Sequence, residues 1–252
     1  MSDDSRTPDD DLEATRSVFD PELSARRAEA LGVPAEVDGY RMLRVLGEGG
    51  MGVVYEAINE QIERRVAIKC LNGDYTSDAE AMTRFFNEAR AANRINHPGI
   101  VQVSDSGSTE AGRPFIVMEL LEGQTLADRI QAGRGLALRQ ILPLGWQIAD
   151  ALAAAHEKQI VHRDLKPENV MLIPDPVAPG RERVKLLDFG IAKLARSSAA
   201  RTSASVIMGT PRYMAPEQCR GAGAVDDRAD VYSLGVMLFE LVAGRLPFVG
   251  EG

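Results

Sequence analysis

The run Gly47-Glu48-Gly49-Gly50-Met51-Gly52 passes directly into Val53-Val54-Tyr55-Glu56-Ala57, an unbroken β-prone segment. Gly47, Gly49 and Gly52 form a GxGxxG pattern, whose missing side chains let a backbone come close to phosphate groups. Taken alone, the pattern also fits a plain glycine turn. Its context narrows the choice. A dinucleotide-binding fold would place a helix after the glycines, and a Walker loop would continue into Gly-Lys-Ser/Thr. Neither follows here, so the segment reads as a glycine-rich hairpin folded over a nucleotide.

On either side of this hairpin, strands are expected over 40–46, 52–58 and 65–71, where Val, Ile, Leu and Tyr are separated by glycine or polar turns. Met82, Phe85, Phe86, Ala89, Ala92 and Ile95 recur at helical spacing and predict a helix over 78–95, followed by strands near 100–103 and 114–120. Beyond Gly123 helices dominate. Ile141, Leu144, Ile148, Leu152 and Ala155 mark one amphipathic helix, whereas 230–243 is apolar on nearly every side and is expected to be buried on nearly every side. The proline- and charge-rich segment 174–183 reads as a surface loop without chemistry. The fold class is α+β: a small antiparallel five-stranded sheet with one helix, then a mainly helical region.

The strand over 65–71 carries Val66-Ala67-Ile68-Lys69, and the predicted helix presents Glu88. An ammonium set in an apolar strand needs an anion, because burying it unpaired is costly. Glu88, a phosphate, or both at once would serve.

Two further motifs, His162-Arg163-Asp164-Leu165-Lys166-Pro167-Glu168-Asn169 and Asp188-Phe189-Gly190, make the pattern specific. Together with the glycine loop they resemble the protein kinase family from about Tyr40 to Gly252, and the wording Gly-Glu-Gly-Gly-Met-Gly looks most like bacterial, eukaryotic-like (Hanks-type) Ser/Thr kinases. The resemblance implies a two-lobed fold: an N-lobe over 40–120 and a C-lobe over 121–252. It implies MgATP as cofactor, with Mn²⁺ as a possible substitute, and protein substrates with Ser or Thr acceptors. Asp164 would orient the incoming hydroxyl and accept its proton, and Asn169 and Asp188 would hold the metal. Lys166 resembles the lysine that steadies the transferred phosphoryl in Ser/Thr kinases, and Lys69 with Glu88 would hold the ATP phosphates. Leu46, Val54, Ala67 and Leu172 would enclose adenine, with Met118 behind it and the backbone of Glu119 and Leu121 reading the base edge. His162 corresponds to a packing position beneath Phe189, not to a base.

Residues 188–217 resemble an activation segment ending in Ala215-Pro216-Glu217, and they contain Ser197, Ser198, Thr202, Ser203, Ser205 and Thr210. Arg163 stands beside Asp164, as in kinases switched on by loop phosphorylation, so autophosphorylation at Thr202 or a neighbouring serine is expected, with self-association as its route. Thr210 resembles the threonine that contacts the catalytic aspartate and lysine. Glu168 matches a position that reads a basic substrate residue in some members, although helix-start acids are common. Asp230, in Asp230-Val231-Tyr232-Ser233-Leu234-Gly235, resembles the anchor of the catalytic loop.

The remaining features limit the alternatives. The net charge of -8 is concentrated in residues 1–39, which hold eleven acids against four arginines, so the rest is nearly neutral and no nucleic-acid surface is implied. Residues 1–39 read as an acidic, mostly disordered tail, with a short helix plausible after Asp20-Pro21. Cys70 and Cys219 lack CxxC pairing, and His97, His156 and His162 lack metal-ligand spacing, so a reducing cytoplasm fits. No signal peptide or membrane span is read. The family continues for several helices after the position of Gly252, one of which carries an arginine that pairs with the residue matching Glu217. An incomplete C-lobe, and hence a truncated product or fragment, is therefore expected. Besides an active kinase, two readings stay open: a catalytically silent nucleotide-binding or scaffold fragment, and a small-molecule phosphotransferase. Gly209-Thr210-Pro211 and Ala215-Pro216-Glu217 argue against the latter.

Overall fold

The computed structural model describes residues 36–132, 136–189, 211–220 and 225–248. Six strands form the N-terminal sheet: β1 (Glu36–Val37), β2 (Tyr40–Glu48), β3 (Gly52–Asn59), β4 (Arg64–Leu71), β5 (Val103–Ser108) and β6 (Pro114–Glu119). Their order is β1-β2-β3-β4-β6-β5, with every pairing antiparallel. Helix α1 (Ala79–Ile95) starts where the Asp78 carboxylate accepts the N–H groups of Glu80 and Ala81, and it ends at Asn96 in the left-handed region. Its buried stripe of Phe85 and Ala89 packs with Leu71 and Ile116 beneath the sheet.

Alternation along β3 buries Val53, Tyr55 and Ala57 against Val66, Ile68, Phe115 and Val117. Glu56 is fully buried between flanking strands, where Arg44 and Arg65 both pair with its carboxylate. Those two guanidiniums offset the cost of sequestering its charge.

The C-terminal region contains a second sheet of β7 (Gln124–Thr125), β8 (Val170–Pro174) and β9 (Glu182–Leu186), in that order. Around it lie α2 (Leu126–Gln131), α3 (Leu138–Glu157), the short α4 (Pro216–Cys219) and α5 (Arg228–Ala243). Ile141, Leu144, Ile148, Leu152 and Ala155 of α3 join Leu172, Val184, Leu186, Met237 and Leu241 in one core.

Several sequence expectations change. The sheet has six strands, not five, because Glu36–Val37 pairs with β2 and seats Val37 in the core. Residues 36–39 of the segment read as tail are thus part of the fold, while its earlier residues and the helix expected after Asp20 lie outside the described residues. The strand expected near 100–103 lies at Val103–Ser108, because Ile100 is buried against Leu186 of β9 in a parallel bridge. Helix α5 is not buried all round: its stripe of Ala229, Asp230, Ser233, Val236, Met237 and Leu241 is covered, whereas Val231 and Val242 are exposed. The 174–183 loop is shorter than expected, since β8 and β9 absorb its ends, and its turn is held on α3 by Gln147, whose Nε2 donates to the Glu182 carbonyl (3.0 Å).

Among the described residues the buried Tyr55 hydroxyl has no hydrogen-bond partner, and burial pushes its pKa up to about 12. A buried unpaired hydroxyl costs about 1–3 kcal/mol. Tyr55→Phe is therefore expected to raise the thermal midpoint by removing that oxygen at constant shape. A clear fall in the midpoint by calorimetry would contradict this account.

Candidate active site

Lys69 lies on β4 opposite Val54 of β3 and Ile116 of β6. Its Nζ pairs with Asp188 Oδ1 at 2.7 Å and with Glu88 Oε2 of α1 at 3.5 Å. Burial disfavours the ammonium, but Asp188 and Glu88 outweigh it and hold the amine above its usual range. Partial desolvation opposes the charge of Asp188, whose side chain is still about half exposed, yet Lys69 prevails and its carboxyl stays below the usual range. Glu88 receives the weaker share: burial dominates over Lys69 and raises its pKa to about 7. The expectation that Lys69 meets Glu88 thus gains a second, closer anion.

The 162–169 motif is fixed through its backbone. The buried Asp230 carboxylate accepts the N–H groups of His162 and Arg163, each at 2.8 Å, and that of the His156 ring at 2.7 Å. Arg163 takes φ 64 and Asp188 takes φ 41, left-handed values that a non-glycine residue adopts at some cost.

His162 is fully buried, and burial lowers its pKa, so the ring is neutral. Its Nε2–H donates to the Leu187 carbonyl (2.9 Å), leaving Nδ1 to accept the Asp164 N–H (3.4 Å). The ring centroid lies 4.7 Å from that of Phe189. With both nitrogens occupied, His162 joins the 162–164 backbone to the residue before Asp188 and is not a base.

Asn169 Nδ2 donates to the Asp164 carbonyl (2.8 Å) and reaches its Oδ2 (3.4 Å), while the Asn169 carbonyl accepts the Leu187 N–H (2.9 Å). Lys166 Nζ stands 3.3 Å from Asp164 Oδ2. Two sets of contacts, Lys69 with Asp188 and Asp164 with Lys166 and Asn169, are therefore joined through the backbone of Leu187, the residue before Asp188. The donor set suits a hard cation: with its nitrogen on Asp164, Asn169 presents an oxygen, and Asp188 adds an ionised carboxylate. Mg²⁺ takes few protein oxygens beside water and phosphate.

The residues expected around adenine lie where strands meet the interlobe link. Ala67 pairs with Met118, Gly47 pairs with Val54, and Leu172 pairs with Gln124. Ala67 and Leu172 are buried, Val54, Met118, Glu119 and Leu121 are half-buried, and Leu46 is exposed. The Glu119 N–H donates to Gln102 (3.0 Å), so a base-edge contact from this residue falls to its carbonyl. Gly49 N–H closes the loop on the Gly52 carbonyl (2.9 Å), and a Cβ on Gly52 would meet the Cys70 carbonyl at 2.4 Å.

Sequence reading missed other contacts. Lys185, buried on β9, pairs with Glu119 Oε1 at 2.5 Å and ties the C-terminal sheet to the end of β6. Tyr213 donates to Glu240 (2.6 Å), Gln218 reaches Arg163, and His156 pairs with Asp230 from 74 residues away. No local spacing signals such pairs. Gly123 was also overlooked, although a Cβ there would strike the Leu172 carbonyl at 2.1 Å. Gly190, Ser197, Ser198, Thr202, Ser203, Ser205 and Thr210 lie outside the described residues.

A glycine hairpin in the N-terminal sheet and a linked set of a lysine, two aspartates and an asparagine make up the candidate site. Comparison with known proteins supplies the class. The protein kinase domain family matches residues 40–252, and the chain belongs to that family. It is 48% identical over 214 residues to serine/threonine-protein kinase Pkn1 of Myxococcus xanthus, covering 84% of this chain and 30% of the relative. It is 44% identical over 212 residues to PrkC of Bacillus subtilis, covering 84% and 31%. The chain thus spans under a third of the length of these two relatives. The crystal structure of the Mycobacterium tuberculosis PknI kinase domain superposes with a TM-score of 0.63 at 32% identity, covering 84% of this chain and 77% of that one.

The position of Glu88 predicts a pH effect. Between its ordinary value of 4.5 and about 7, the unfolded carboxyl is ionised while the folded one keeps its proton. The stability contribution is therefore complete below 4.5 and is lost as pH rises through about 7, with a slope of up to about 1.4 kcal/mol per pH unit. Denaturant titrations of wild type and Glu88→Gln across this range should diverge, with the wild type losing ground as pH rises. Parallel curves would refute the assignment.

Proposed function

We propose that this chain is the catalytic domain of a protein Ser/Thr kinase that transfers the γ-phosphoryl group of MgATP to Ser or Thr hydroxyls of proteins. The supporting observation is that the Lys69–Asp188 pair and the Asp164–Lys166–Asn169 cluster are joined through the Leu187 N–H on the Asn169 carbonyl. Lys69 binds the ATP phosphates, with Glu88 as its support. Gly47, Gly49 and Gly52 bring backbone close to the same phosphates, and Leu46, Val54, Ala67, Met118, Glu119, Leu121 and Leu172 form the adenine site. Asn169 and Asp188 hold Mg²⁺, which when bound neutralises phosphate charge; Mn²⁺ suits the same oxygens. Asp164 orients the acceptor hydroxyl and takes its proton, and Lys166 balances charge on the group in transit. The lobes of this reading are 40–120 and 121–252, with strand β1 extending the first.

Regulation by loop phosphorylation belongs to the same proposal. Among the described residues, Arg163 Nε is buried without a hydrogen-bond partner, and its Nη2 donates to the Val225 carbonyl at a long 3.4 Å. Such a guanidinium has donors available for a phosphate on Thr202 or a neighbouring serine. Phosphate added in trans by a second copy accounts for the modification. Among the described residues no helix is long and apolar enough to cross a membrane, and the free thiols Cys70 and Cys219 suit a reducing cytoplasm.

Purified protein should move labelled phosphate from ATP onto a Ser/Thr-containing protein. Asp164→Asn should lower kcat by roughly 10²–10⁴-fold with nucleotide affinity retained. A wild-type chain that binds ATP but transfers nothing would be a nucleotide-binding scaffold instead. Mass spectrometry of the active protein should find phosphate between Ser197 and Ser205, and full turnover without it would refute the regulatory part.

A further inference from the structure

The side-chain amide of Gln218 has no part in the roles above, and it faces two ways. Its Oε1 accepts the backbone N–H of Ala215 (3.0 Å), closing the first turn of α4, and its Nε2 donates to the carbonyl of Arg163 (2.9 Å). That carbonyl belongs to the peptide unit joining Arg163 to Asp164. The N–H of Arg163 is already held by Asp230 at 2.8 Å, and its φ is 64. A left-handed residue of this kind persists only where its surroundings over-determine it. Rotation of the unit would flip its carbonyl and displace the Asp164 carboxylate. Among the described residues, Gln218 is the side chain that donates to this carbonyl.

The same segment is seated on α5 by other groups. Ser233 Oγ donates to the Tyr213 carbonyl (2.7 Å), and the Tyr213 hydroxyl donates to Glu240 (2.6 Å). Gln218 carries that seating across to the catalytic loop. We propose that Gln218 is a positioning residue that fixes the Arg163–Asp164 peptide, so that proton acceptance by Asp164 depends on the 211–220 segment being docked. This inference rests on the kinase reading above.

Two substitutions separate positioning from helix capping. Gln218→Glu keeps an oxygen for the Ala215 N–H, as a capping residue does, but removes the donor to Arg163. Gln218→Met removes both. Positioning predicts that both variants lose about tenfold or more in kcat, with KM for ATP unchanged, and that backbone amides of 162–164 exchange hydrogen faster while those of the N-terminal sheet do not. Gln218→Glu with wild-type kcat, or with wild-type exchange at 162–164, would overturn the proposal. If the wild-type chain transfers no phosphate, the kinase reading fails separately. Exchange then decides whether Gln218 restrains this peptide: faster exchange in both variants upholds the restraint, and unchanged exchange removes it.

Discussion

The carboxylate of Asp230 is fully buried and is satisfied by three N–H donors, from the backbone of His162 and Arg163 and from the ring of His156. A buried charge without such donors costs several kcal/mol, so the helix that carries it and the loop that supplies them are stable only together. The left-handed Arg163 is held by the same contact, at an intrinsic cost of about 1–3 kcal/mol. From this fixed backbone the side chains of Asp164, Lys166 and Asn169 project towards one another. Their convergence is a property of the loop's anchoring, and none of them sits on a long regular element.

The second constraint is the neutral ring of His162. Because burial removes its charge, it has one donor and one acceptor, and both are engaged within the motif segments. The imidazole therefore fixes how the 162–169 loop lies against the strand end that presents Asp188. A charged ring would lack an acceptor for the Asp164 N–H, and a smaller side chain would lose the contact with Phe189. The polar site thus depends on an apolar, uncharged layer directly beneath it.

The strand segments of β3 and β4 and the three-to-four spacing of α1 and α3 were legible in the sequence because they are local patterns read out locally. So were Lys69 and Glu88, since a lysine in an apolar strand demands an anion. Asp188 as the nearer of its two partners was not legible, because that choice depends on how the lobes meet. Ile100 misled for the same reason: its apolar character signalled a strand of the first sheet, but it serves β9 of the second region. The α5 surface shows the opposite limit, since a helix apolar all round does not say which face its neighbours reach. Gln218 and Lys185 were invisible because an amide or an amine at those positions looks like ordinary polar surface until its partners are known.

The junction between the lobes is stitched on one side and ionic on the other. Gly99, Ile100 and Val101 engage Leu186 through backbone pairing, and Lys185 reaches both the Ile100 carbonyl (3.4 Å) and Glu119 (2.5 Å). These contacts are buried or made by backbone, so solvent and salt screen them little. Across the cleft, Lys69 with Asp188 is the corresponding bond, and the Asp188 side chain is 53% exposed. An anion that attracts Lys69 and a cation that attracts Asp188 can each compete there without disturbing the stitched side. A phosphate–metal pair bound as proposed would do both at once, exchanging one interlobe ion pair for two matched contacts. The architecture therefore concentrates its replaceable electrostatics where a nucleotide's charge would enter, and its permanent hydrogen bonds where the lobes must stay in register.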